Sequence, residues 1–369
     1  MRETDYADVT VIGGGPAGVS AALELARRGV ATLLLERSDG SGNPVGECLA
    51  PSANVLLHRL GLSDALLTSG ALPSHGNRSS WGGNGTLLDR DFLREPLGHG
   101  WHLDRPRFNA TLLDAAASAG ATVWRRAKVR SLERVEEQWR LVVDASSGPR
   151  LATTRFVVDA TGRSAVVARR HGIRHRIFDP LVAAVAVLSA GGPVKCDATT
   201  LIEATECGWW YSALAPNGRL VVAWFTDPDL LAGATPWRTP AWWSLLQASE
   251  ATRAWIRLHE SEPPETVRIA PAMSALLPQL AGDGWIAAGD AAAAFDPLSS
   301  HGIGSALAGG KRAAGAVAAA LAGDHAPIRD YTDNILANYA HYLFLRHAYY
   351  AAERRWPNSP FWRRRVTPA

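Results

Sequence analysis

The sequence reads as an α/β protein, on the strength of three ordered segments. A glycine-rich turn lies between two short β-branched strands, a second buried strand ends in a small-residue turn, and a third runs through Gly-Asp towards a long Ala/Gly-rich helix. The first segment is the most specific. Val9-Thr10-Val11-Ile12 is a strand, Gly13-Gly14-Gly15-Pro16-Ala17-Gly18 a turn, and Val19 to Arg28 a helix stopped by Gly29. Ala31 to Leu35 is the next strand, ending at Glu36. Together they form a complete βαβ unit of the Rossmann type. Gly13 permits the tight turn, Gly15 lets the backbone approach a pyrophosphate, and Gly18 allows close helix–sheet packing. The helix N-terminus offers N–H groups and a positive dipole end to phosphates. Glu36 lies 21 residues after Gly15, where a carboxylate takes ribose hydroxyls. An acid there disfavours a 2′-phosphate, so these residues alone leave FAD and NAD open.

The 369 residues suggest two or three folding units, and 47% hydrophobic with 20% charged residues is an ordinary globular composition. No apolar run reaches the roughly 18–20 residues a membrane span needs. Asp5, Tyr6 and Asp8 lead straight into a strand, which argues against a signal peptide. Cys48, Cys196 and Cys207 give neither a disulfide framework nor zinc spacing, so the expected setting is the reducing cytoplasm. His75, His99 and His102 lack ligand spacing, and no metal site is expected. The net charge of +3 is concentrated at the end of the chain, where Arg354, Arg355, Arg363, Arg364 and Arg365 face only Glu353. The nearly neutral body excludes a nucleic-acid enzyme. The basic tail reads either as a solvated end or as a contact for an acidic partner or membrane surface.

Two later segments decide the cofactor by resemblance. Phe156-Val157-Val158-Asp159-Ala160-Thr161-Gly162-Arg163 is a strand and turn. Gly284-Trp285-Ile286-Ala287-Ala288-Gly289-Asp290 is followed by Phe295-Asp296-Pro297-Leu298-Ser299-Ser300-His301-Gly302-Ile303-Gly304 and the helix. From about Asp8 to about Ala320 the chain resembles the flavoprotein family that includes para-hydroxybenzoate hydroxylase, the geranylgeranyl reductases and the tryptophan halogenases. The resemblance implies FAD. It places Asp290 on a ribose, and Arg105 of Leu103-Asp104-Arg105-Pro106 against the cofactor. With the glycine turn, the cofactor-binding candidates become Gly13, Gly15, Ala17, Gly18, Glu36, Arg37, Arg105, Asp159, Gly162, Gly289, Asp290, Gly302 and Ile303. A helix opening at Gly302 would stabilise negative charge on a reduced flavin ring.

The implied architecture is a discontinuous FAD-binding domain over 1–70, 100–170 and 281–325. An inserted antiparallel β-sheet substrate domain takes 71–99 and 171–280, and a C-terminal helical segment 326–369. Within the insert, Cys207 to Ala215 and Arg219 to Thr226 form a hairpin, with Asn217-Gly218 as a type I′ signal. Alternation puts Trp209 and Tyr211 on one face and Trp210 on the other. Trp209, Tyr211 and Trp224 are the substrate-binding candidates, and plain sheet core is the competing reading. Trp237 to Leu258 and Tyr331 to Arg355 read as helices.

Reduced flavin supports oxygenation, halogenation or hydride transfer, with the protein positioning and selecting. Tryptophan halogenases carry a lysine in the N-terminal third and a Trp-x-Trp-x-Ile-Pro signature. This chain has no lysine before Lys128 and reads Gly208-Trp209-Trp210-Tyr211-Ser212, which argues against halogenation. Gly46-Glu47-Cys48-Leu49-Ala50-Pro51, Gly208-Trp209-Trp210-Tyr211-Ser212 and Phe295-Asp296-Pro297-Leu298-Ser299-Ser300 are most similar to the flavoproteins that mature quinone cofactors of lysine and glycine oxidases and of quinohemoprotein amine dehydrogenase. That resemblance implies a monooxygenase acting on an indole-type ring, either free or as a tryptophan side chain of a partner protein. Where it gives Gln after Ser300, this chain has His301. The candidates for the chemistry are His301 as proton carrier, Pro297 and Glu47. Electrons would come from NAD(P)H or from reduced flavin supplied by a partner reductase. The competing readings are a reductase of the geranylgeranyl type, which requires a long apolar tunnel, and a non-catalytic flavin-binding maturation chaperone.

Overall fold

A computed structural model describes residues 4–39, 48–92, 95–190, 198–234, 239–300 and 302–366. Strand β1 (Thr4–Ile12), helix α1 (Pro16–Arg27) and strand β2 (Thr32–Glu36) form the expected βαβ unit. The chain later adds helix α2 (Arg105–Ser118), strand β3 (Thr122–Arg125) and strand β4 (Gly148–Asp159). With the strand Trp285–Ala287 these make a parallel array in the order β3, β2, β1, β4, Trp285–Ala287. The direction of build-up reverses between β1 and β4, and ligands bind at that switch point beyond the carboxyl ends of the strands. There the backbones nearly touch. Gly13 has φ +110°, and a Cβ built on it would lie 2.3 Å from the Ala160 carbonyl oxygen. No side chain fits, and the glycine turn is fixed against β4.

The long Ala/Gly-rich helix α3 (Gly302–Leu321) lies directly on α1. A Cβ on Gly310 would fall 2.0 Å from the Ala17 carbonyl oxygen, so its small residues exist for close packing of the two helices.

A second, seven-stranded sheet stands over the strand ends. Its centre holds strands β5 (Val182–Ser189), β6 (Thr199–Thr205), β7 (Gly208–Leu214) and β8 (Arg219–Thr226), in the spatial order β5, β8, β7, β6. Arg268–Pro271 closes one edge, and the pair Gly76–Ser80 and Leu88–Asp91 closes the other. The sheet is antiparallel except where Gly76–Ser80 runs parallel to β6.

The hairpin turn differs from the I′ expectation. Gly218 has φ +73° but Asn217 is not left-handed. The Gly218 N–H donates to the Ala215 carbonyl at 3.0 Å, and the Ala215 N–H to the Arg219 carbonyl at 2.7 Å. This is a type I turn closed by a left-handed glycine. Pro216 takes the turn's second position, where its fixed φ suits type I and excludes I′.

The helical reading of 237–258 resolves into Thr239–Ala248 and Ala251–Leu258. Glu203 makes the break: its carboxylate accepts the N–H groups of Glu250, Ala251 and Thr252 and caps the second helix. The C-terminal part forms helix α4 (Ala326–Ala352) and helix α5 (Pro360–Val366). Much of the basic tail is docked rather than solvated. Arg365 is buried on Asp227, Arg364 spans Asp227 and Asp229, and Arg355 pairs with Glu353. Phe361 and Trp362 are buried beside Trp209 and Tyr350. No helix among the described residues is long and apolar enough to cross a membrane.

Candidate functional site

A cavity of about 350 Å³ opens at the switch point, between the parallel array and the second sheet. One wall is mostly backbone. Gly15, Pro16 and Ala17 open α1, Gly162 follows β4, and Gly302 and Ile303 open α3. A Cβ on Gly15, Gly162 or Gly302 would meet no protein atom within 4 Å, so each leaves a space for something other than this chain. No side chain caps the first turn of α1, and its N–H groups are left for a ligand. Two helix N-termini and Arg105 therefore converge on one cavity, an arrangement suited to a phosphate-bearing, electron-accepting group.

Asp290 also lines the cavity. Its carboxylate sits 3.4 Å from Arg163 Nε and is 36% exposed. Burial within the body of the protein raises its pKa above the ordinary carboxylate range, against the opposing pull of Arg163, Arg105 and His175. A hydroxyl of the ligand would relieve that carboxylate as hydrogen-bond donor. Arg163 also donates to the carbonyls of Met273 and Phe295, so it pins the crossing between the sheets to the cavity loop. It stands in the strand-and-turn motif but was not among the site candidates.

Several predicted residues act one step away from the cavity. Glu36 accepts the Gly14 N–H at 2.6 Å and the Ser38 N–H at 2.5 Å, so it braces the glycine turn. Asp159 is completely buried and accepts from Thr161 N, Thr161 Oγ1 and Val167 N. Its oxygens shape the turn after β4 instead of meeting a ligand, and burial raises its pKa despite those bonds. Arg37 is exposed at the end of β2. Gly289 packs against Ala17, where a Cβ would lie 2.6 Å from the Ala17 Cβ. Glu47 and His301 lie outside the described residues, although their neighbours Cys48, Ser300 and Gly302 line the cavity.

The opposite wall is made of side chains: Tyr211 and Phe225 with Ala183, Ala270 and Ala272. Of the three aromatic candidates only Tyr211 faces the cavity. Trp209 shares its sheet face but is fully buried. It stacks on Phe225 at 4.0 Å and donates its indole N–H to the Tyr350 hydroxyl. Trp224 is on the other face, since it pairs with Trp210 in register and packs with Trp242 and Trp255 under the two helices. The alternation rule places Phe225, one residue on, in the wall that Trp224 was expected to form. The Tyr211 hydroxyl donates to Cys48 Sγ at 3.0 Å, Cys48 meets Thr200 Oγ1 at 2.9 Å, and Thr200 meets His102 Nε2 at 3.1 Å. This polar chain runs from the cavity wall to a buried imidazole. Cys48 therefore belongs to the site, although its own position in the sequence gave little reason to select it.

Phe295, Asp296, Pro297 and Ser300 complete the cavity edge. Asp296 caps the turn by accepting the Leu298 N–H at 2.9 Å, and Ser300 ends it with a left-handed φ of +52°. Such a strained residue persists where its surroundings hold it.

Two helix N-termini over a glycine cradle, with Asp290 and Arg105 on the same cavity, suit a flavin dinucleotide. The chain belongs to the FAD binding domain family, whose model matches residues 6–335. LodB of Marinomonas mediterranea, named as an FAD-dependent oxidoreductase, is 31% identical over 97% of this chain and 96% of its own. The flavin-dependent halogenase CmlS is 26% identical, with a TM-score of 0.86 over 100% of this chain and 68% of its own. QhpG, titled a peptidyl tryptophan dihydroxylase essential for tryptophylquinone cofactor biogenesis, shares the fold with a TM-score of 0.79 at 24% identity, covering 98% of this chain and 78% of its own. The protein is thus an FAD-dependent oxidoreductase with the fold of the flavin-dependent halogenases.

Proposed function

We propose that the protein is a flavin monooxygenase that hydroxylates an indole-type ring, with a tryptophan side chain of a partner protein as the favoured substrate. The observation that carries this reading is the composition of the cavity. A backbone wall fits FAD, and a compact aromatic and alanine wall faces it across about 350 Å³. Beside a flavin ring, that wall offers a flat, largely apolar surface suited to one aromatic ring. Full-length similarity to LodB and a fold shared with a peptidyl tryptophan dihydroxylase support the same reading.

Bound FAD supplies the redox chemistry. Gly15 and the first turn of α1 bind its phosphates, and Asp290 and Arg105 orient it. The start of α3 favours the reduced, negatively charged state. Tyr211, Phe225 and the alanines hold the substrate ring and keep water from it. Tyr211 fixes the ring's polar edge, with its own proton committed to Cys48. His301, between Ser300 and Gly302, is the proton carrier in this reading. A reducing cytoplasm is the setting in this reading, and the reductant is NAD(P)H or a partner reductase.

Halogenation is the second reading, favoured by the 26% identity to CmlS. Against it, no lysine is among the described residues lining the cavity. One experiment separates the two. The reduced holoprotein is mixed with oxygen and a tryptophan-containing peptide or indole, with and without bromide, and the products are weighed. Addition of oxygen in both conditions supports the proposal. Bromine incorporation assigns halogenation, and unmodified substrate in both removes oxygenation.

A further inference from the structure

Five of the seven tyrosines lie on α4, and four of them line up with Arg346 along one side of the helix. That line follows the segment which carries Gly289-Asp290 and the cavity loop. The Tyr331 hydroxyl donates to the Ala287 carbonyl at 2.8 Å, and the Tyr339 hydroxyl to the Ala294 carbonyl at 3.2 Å. The Asp296 N–H donates to the Tyr342 hydroxyl at 2.7 Å. Asp296 Oδ2 accepts from the Tyr350 hydroxyl at 2.8 Å and from Arg346 Nε at 3.2 Å. The helix is bonded to the flavin-side segment turn after turn, yet none of its described residues lines the cavity.

Arg346 does more than pair with Asp296. Its Nη2 meets Asp179, which also accepts from Leu181 N, Ser274 N and Ser274 Oγ. Residues 178–181 and 272–274 are two of the crossings between the parallel array and the second sheet, leading into Val182–Ser189 and out of Arg268–Pro271. Tyr342 closes the circuit, since its hydroxyl meets Ser274 Oγ at 2.7 Å. One guanidinium therefore ties the cavity loop to both crossings. Asp179 and Asp296 are buried and share that single cation, which meets them through two nitrogens, Nε and Nη2, held in one rigid plane; a lysine would bring one nitrogen on a flexible stem and lose that fixed spacing. Burial raises the pKa of Asp296, Arg346 opposes this and Asp179 adds to it.

We propose that Arg346 and Tyr350 are positioning residues for the flavin reaction: by holding Asp296 they fix the Phe295–Ser300 loop in the cavity wall. The C-terminal helix is thereby part of the active site without touching it. Pro297 and Ser300 form an edge of the cavity, and Asp296 is the residue that caps their turn. Reaction rates are sensitive to displacements of this kind. The proposal rests on the FAD site and not on the choice between oxygenation and halogenation.

The test uses purified holoprotein of Arg346→Lys and Tyr350→Phe, with Arg364→Ala, which removes a half-exposed guanidinium on α5 from Asp229 and from Asp227, itself still paired with Arg365, as the control. Melting temperature, flavin content, visible flavin spectrum and the rate of reoxidation of the reduced protein by oxygen are read for each. The expected result is that Arg346→Lys and Tyr350→Phe stay folded and yellow, with displaced flavin bands and reoxidation altered on the order of tenfold. Arg364→Ala should match the wild type in both flavin readouts. A merely structural role would lower the melting temperature and leave the spectrum and reoxidation of the folded protein unchanged, and that result overturns the proposal. So does an equal change in Arg364→Ala. Should Arg346→Lys fail to fold, Tyr350→Phe decides alone, because it removes one hydroxyl and keeps the ring.

Discussion

The two walls of the cavity are built on different principles. One wall is backbone: Gly15, Gly162 and Gly302 leave room because they lack a side chain, and two helices supply their N-termini. The wall across from it is side chain: Tyr211 and Phe225 project from a sheet whose other face is equally aromatic. A backbone wall is tolerant of what surrounds it and intolerant of one added carbon. A side-chain wall depends on which face each residue takes, and the same tryptophan can be a wall or a core residue according to a one-residue shift.

The largest expected break in this comparison is at Gly15. Replacing it with Trp fills the cradle, and because a Cβ there meets no protein atom, the apo fold survives. Flavin content after gel filtration should fall by more than about a hundredfold while far-UV circular dichroism is kept, since close backbone approach to the pyrophosphate is lost. Normal flavin content would refute the placement of the phosphates. The next effect separates the two faces of the second sheet. Trp224→Ala should cost about 3–5 kcal/mol of stability, measured by urea unfolding, and leave the flavin spectrum as it was. His301→Ala should slow turnover by about 10²–10⁴-fold with FAD retained, as removal of a proton carrier does. Unchanged turnover would remove it from that role.

The smallest effect is with pH. Hydrogen bonds from Arg364 hold the Asp229 carboxyl below its ordinary range. At Glu353 burial pushes upward, but the bonds from Arg355 prevail and lower it. Groups lowered in the folded state stabilise it above the usual carboxylate range and lose that contribution as pH falls. Asp290 and Asp296 are raised, so the folded state binds their protons more strongly, and their contribution fades only as pH rises. Acid should therefore loosen the C-terminal segment before the cavity. Limited proteolysis by an acid protease at about pH 3, below the ordinary carboxylate range, should clip beyond Ala352 while flavin remains bound, and simultaneous loss of both would show no difference between the regions.

The same contrast explains what the sequence disclosed. Gly13, Gly15, Gly18 and Asp290 were legible because spacing along one βαβ unit or one Gly-Asp turn determines their geometry. Phe225 was not, because its face depends on register with β7, and the aromatic content of β8 drew attention to Trp224 instead. Asp159 sits within a recognisable motif, yet only three-dimensional bonding to Thr161 and Val167 shows that its oxygens are already used. Arg346 and the tyrosines of α4 carried no local motif. Their partners are 44 to 167 residues away, and no periodicity within a helix reports which distant carboxylate a guanidinium meets. The docking of the basic tail was hidden for the same reason, since Asp227 lies 138 residues before Arg365.

In the proposed arrangement the two walls of the cavity enclose flavin and substrate ring together. The measurement is a titration of the oxidised holoprotein with indole, following the visible flavin bands in the wild type, Tyr211→Phe and Trp224→Phe. The expected result is a saturable perturbation that weakens about fivefold in Tyr211→Phe, the worth of one hydrogen bond, and is unchanged in Trp224→Phe. No perturbation in the wild type, or equal sensitivity to Trp224 and Tyr211, would contradict the placement of the substrate ring between FAD and the Tyr211 face of the sheet.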